Sequence, residues 1–67
     1  MRFISANIHM RIKETDQLIR AVINAEQIVS VLSYDAGNQA SIMMVTGDRL
    51  IVDIPFKILA ENLLEHA

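Results

Sequence analysis

Apolar and polar residues alternate from Ile4 to Ile12. Ile4, Ala6, Ile8, Met10 and Ile12 fall on one side, and Ser5, Asn7, His9 and Arg11 on the other. A period of two predicts a half-buried strand. Glu14-Thr15-Asp16-Gln17 breaks the pattern and reads as a turn. Residues 18–23 read as a second strand, β-branched towards its end. A continuous helix over 16–33, capped by Thr15, is the alternative. Asn24-Ala25-Glu26-Gln27 reads as a helical turn or bend before a strand at 28–34. Asp35-Ala36-Gly37-Asn38 is a turn cluster, because Asp and Asn bond their own backbones and Gly supplies positive φ. Residues 39–46 and 49–53 read as paired strands. Gly47-Asp48 between them suits a two-residue type II′ loop, which takes Gly first. A helix is expected from near Pro55, whose missing N–H costs nothing at a helix start. Asp53 favours its positive end. Phe56, Leu59, Ala60 and Leu63 make an apolar stripe at helical spacing. Lys57, Glu61 and Glu65 lie mostly off it, and His66 falls at the negative end.

The loops set an expected register. A two-residue loop at 47–48 pairs Thr46 with Arg49, Val45 with Leu50, Met44 with Ile51 and Met43 with Val52. Opposed residues share a face. One face then carries Met43, Val45, Leu50 and Val52, and the other Ile42, Met44 and Ile51. A four-residue loop at 35–38 pairs Tyr34 with Gln39. That adds Ile28 and Leu32 to the first face, and Val29 and Val31 to the second. One helix can cover the first face. Val29, Val31, Ile42, Met44 and Ile51 on the second are the expected protein-contact surface, since an exposed apolar patch marks an interface. The alternatives are that the N-terminal strands fold over that face in a small barrel, or that the N-terminal strand extends the sheet. The expected fold is α+β: a small, curved antiparallel sheet of four to five strands with one C-terminal helix, in a single domain over 1–67.

Composition sharpens the assembly question. The chain has 67 residues, 52% of them hydrophobic, and no Cys. A domain this small buries a modest fraction of its surface and lacks disulfide staples, so a homo-oligomer or protein partner is expected. Asn7, His9 and Arg11 interrupt any signal-peptide core, and no apolar run approaches the ~20 residues of a membrane span. A soluble cytoplasmic protein is expected.

Candidate chemistry is sparse. Ser5 and His9 share a strand face but lie roughly 13 Å apart by strand rise. His9 and His66 are far apart in sequence for a shared metal. Glu61 and Glu65 read as a solvated helix face. Gly37 and Gly47 make no phosphate loop. We therefore expect no catalytic residues, no cofactor, no metal and no enzyme. Positive charge gathers early, at Arg2, His9, Arg11, Lys13 and Arg20. Arg11, Lys13 and Arg20 are the candidate contacts of an alternative nucleic-acid-binding regulator. A net charge of −2 disfavours that alternative.

Residues 22–64 carry a resemblance. Val22-Ile23-Asn24-Ala25-Glu26-Gln27-Ile28-Val29-Ser30-Val31, a polar turn, Ser41 to Val52 with its Thr46-Gly47-Asp48 hairpin, and a short terminal helix resemble the FlbD family of small flagellum-associated proteins. The strand–hairpin–helix order is more faintly similar to the longer LytTR DNA-binding domain. The N-terminal strand at 2–13 extends beyond the FlbD pattern. The resemblance implies a bacterial-like, flagellum-associated setting and supplies no catalytic residue. The two-sided apolar sheet and the sparse chemistry lead us to expect a non-enzymatic regulatory or adaptor protein acting through protein contacts in a homo-oligomer.

Overall fold

A computed structural model describes residues 2–65. Its elements are β1 (Phe3–Ile12), β2 (Thr15–Asn24), β3 (Ile28–Tyr34), β4 (Gln39–Met44), β5 (Arg49–Val52) and α1 (Phe56–Glu65). The strands form one antiparallel sheet in the order β2-β1-β5-β4-β3. The fold is small and α+β, as the pattern predicts. No helix among the described residues is long and apolar enough to cross a membrane.

β1 and β2 form a long hairpin whose register runs unbroken from Phe3–Asn24 to Ile12–Thr15. The turn is Lys13-Glu14, not residues 14–17. Both turn residues have positive φ, 50° and 66°, as a type I′ loop requires to match the strand twist. Thr15, Asp16 and Gln17 are polar but stay in the strand, because each has a partner on β1. The same pairing excludes the helix considered over 16–33.

A 3-10 turn at Ala25–Gln27 joins β2 to β3, with the Asn24 Oδ1 accepting from the Glu26 N–H at 3.0 Å. This short link connects the two edges of the sheet. Flat strands would set those edges four spacings apart, about 19 Å. A 3-10 turn advances only about 2 Å per residue. The sheet must therefore curl, bringing its edges together at this corner. The Ala25 N–H donates to the Arg2 carbonyl at 2.9 Å and the Val45 N–H to the Gln27 carbonyl at 2.8 Å, tying the corner to both halves of the sheet.

The β3–β4 register follows expectation from Tyr34–Gln39 to Ser30–Met43, then shifts so that Ile28 opposes Met44. Val29 is the extra residue of this bulge. The β4–β5 register departs from expectation: Ala40 pairs with Val52, Ser41 with Ile51, Ile42 with Leu50 and Met43 with Arg49. The loop has four residues, Val45 to Asp48, because Gly47 donates its N–H to the Met44 carbonyl at 2.9 Å and Met44 donates to the Asp48 carbonyl at 2.8 Å. Gly47, at φ +94°, thus closes the turn at its fourth position rather than opening a type II′ pair. The pairing slips by an odd number of residues, so β4 turns its other side to the core.

That core contains Ala6, Ile8, Ile23, Ala40, Ile42, Val52 and Leu59. Leu59 is the buried member of the helical stripe, with Phe56 and Leu63 packed beside it. Its burial contributes roughly 1.5–3 kcal/mol. The first helical hydrogen bond runs from the Leu59 N–H to the Pro55 carbonyl at 3.1 Å, so Pro55 stands at the helix start where its ring is tolerated. His66 lies outside the described residues.

Candidate interaction surfaces

The expected contact surface does not exist as one face. Ile42 is 1% exposed, and Val31 and Met44 pack against the same core. Ile51 lies on the opposite face, paired with Ser41. Val29 stands out at the bulge, 65% exposed. The slipped β4–β5 register separates Ile42 and Met44 from Ile51, and the bulge separates Val29 from Val31.

The uncovered face is a mixed one. Pairing across all five strands places Leu18, His9, Ile51, Ser41 and Leu32 in one row. Ser41 is buried beneath its neighbours, and its Oγ accepts from the Arg49 Nη1 at 2.8 Å. Gln39 Nε2 lies 2.6 Å from His9 Nε2, so the amide donates when the imidazole is neutral with its proton on Nδ1. The same amide reaches Asp53 Oδ1 at 3.5 Å. A hollow of about 360 Å3 is lined by His9, Met10, Arg11, Asp16, Tyr34, Gln39 and Ile51. Among the described residues no cluster of His, Asp or Glu could hold a metal ion. Ser5 and His9 remain four residues apart on β1, and Glu61 and Glu65 are exposed on α1.

A second hollow, also about 360 Å3, is mostly apolar, with Asn24, Gln27, Thr46 and Asp48 among its lining. Ala21, Val22 and Ile23 of β2 form one wall, and Met44, Val45 and Leu50 the other. It marks where the curled sheet stays open between β2 and the 45–48 loop.

The basic candidates separate. Arg11 and Arg20 are exposed on the uncovered face, but Arg11 lies 3.8 Å from Asp16, with side chains 68% and 76% exposed. Lys13 sits in the turn rather than on the strand. No family model matches the chain, and neither a curated protein nor a solved structure does.

The two edges of the sheet differ. β3 carries the bulge at Val29 and is backed by α1. β2 is ten residues long with no bulge and no Gly or Pro, and Leu18 and Val22 are 51% and 69% exposed. Native sheets ordinarily blunt such an edge. Reading 14–17 as a turn hid this feature, because it left β2 too short to present an edge.

Proposed function

We propose that this chain is a non-enzymatic regulatory or adaptor module of the cytoplasm that acts through protein–protein contact and self-associates. The β2 edge carries this reading. It presents unpaired backbone groups beside exposed Leu18 and Val22, the arrangement by which one sheet adds a strand from another chain. The small size of the chain points the same way. The FlbD-like pattern of residues 22–64 agrees with it and suggests a flagellum-associated bacterial setting. Sedimentation equilibrium over a wide concentration range tests the proposal. The expected result is a species heavier than the 7.5 kDa chain; monomer mass throughout would refute self-association.

The alternative, nucleic-acid binding through Arg11, Lys13 and Arg20, is the weaker one. Asp16 screens Arg11, and Asp53 adds negative charge to the same face. A complex that dissociates steeply with added salt, and is lost in a Lys13→Glu/Arg20→Glu variant, would favour it instead.

A further inference from the structure

We propose that the partner on β2 is β2 of a second copy of this chain, paired antiparallel about a twofold axis through Leu18. This deepens the self-association reading and rests on it. The two-residue loop at Lys13-Glu14 closes on the pair Ile12 and Thr15. Hydrogen-bonded and non-hydrogen-bonded pairs alternate from there. Thr15, Gln17, Ile19 and Ala21 therefore bond back to β1. Asp16, Leu18, Arg20 and Val22 direct their N–H and C=O groups outward, ready for a further strand.

Charge selects the register. With the axis at Leu18, Asp16 opposes the partner's Arg20 and Arg20 opposes the partner's Asp16. An axis at Asp16 or at Arg20 sets like charges against each other. An axis at Gln17 or Ile19 sets Asp16 against an apolar Leu18 or Val22. Opposite charges directly across a strand pair stabilise it, and like charges destabilise it. Arg11 already lies 3.8 Å from Asp16, so each junction becomes a row of Arg11, Asp16 and the partner's Arg20. Exposed Leu18 meets the partner's Leu18 on the axis. The result is a ten-stranded sheet. Assembly stops at two chains, because the twofold uses both β2 edges and the outer β3 edges carry the Val29 bulge.

Cysteine trapping tests the geometry in a chain that has no Cys of its own. A hydrogen-bonded pair on the axis has Cα atoms about 5.5 Å apart, within disulfide range. Mild oxidation of Leu18→Cys is expected to give a covalent dimer. Val22→Cys is the control: its two copies lie about 27 Å apart along the strands in this register and stay uncrosslinked. Charge reversal supplies the second readout. Asp16→Arg or Arg20→Asp alone converts both ion pairs to repulsions and is expected to weaken dimerisation about tenfold. Mixing the two variants in equal amounts restores it, because the edge of the first then carries positive charge at both positions and meets negative charge at both positions of the second. A dimeric wild type in which Leu18→Cys fails to crosslink, or crosslinks no better than Val22→Cys, overturns this pairing while leaving self-association standing. A wild type that remains monomeric overturns both.

Discussion

The same strands build two unlike faces. On one, Ala6, Ile8, Ile23, Ala40, Ile42 and Val52 close over Leu59. On the other, Leu18, His9, Ile51, Ser41 and Leu32 run in a row, with no helix or second sheet over them among the described residues. The contrast is sharpest on β4, where Met43 and Met44 are chemically identical neighbours. Met44 packs against the core, whereas Met43 pairs with Arg49 on the uncovered side. Side-chain hydrophobicity does not distinguish them; the pairing register does.

The largest expected effect tests the covered face. Ile42→Ala removes buried volume that nothing can refill, and should cost about 2–5 kcal/mol in urea denaturation. Ile51→Ala, across the register on the other face, should cost clearly less, and an equal loss would break the distinction. The methionine pair sharpens it next. Met44→Lys should destabilise by about 1–3 kcal/mol, because its ammonium must leave the core or lose hydration. Met43→Gln, which adds no charge opposite Arg49, should stay within about 0.5 kcal/mol. Gly47→Ala probes the loop that fixes the register. Nothing lies within 4 Å of the added Cβ, so its cost of about 1 kcal/mol comes from the positive φ alone. Leu32→Thr on the open row should change the melting temperature least, within the about 0.5 kcal/mol range of ordinary surface replacements.

The tight hairpins explain why some of this was legible in the residues and some was not. At Asp35–Asn38 the chain offers one economical loop, and the register read from it holds back to Ser30. At Gly47-Asp48 the dipeptide fits a two-residue loop by composition alone. Yet Gly47 serves equally well inside a longer turn, and Ile42-Met43-Met44-Val45 is apolar throughout. No alternation remained to arbitrate, so an odd slip was invisible and it moved Ile42 and Met44 into the core. At Lys13-Glu14 the opposite happened. Neither residue advertises a type I′ turn, and the polar run beyond it looked like loop although it was strand. That hid Asp16 and the edge strand it belongs to, and left Arg20 legible only as a charge.

What the sequence determined by itself was local. Periodicity fixed the first strand and the terminal helix, because a face that repeats every two residues, or every three to four, can be buried only by that backbone. Turn residues marked the breaks near 35–38 and 47–48 and left the count at four to five strands. The tertiary structure alone decided the strand order, the short link between opposite edges that enforces the expected curvature, and which side of β4 is inside. Each of those depends on hydrogen bonds between residues distant in sequence, and such bonds can slip by a few positions without any change in local preference.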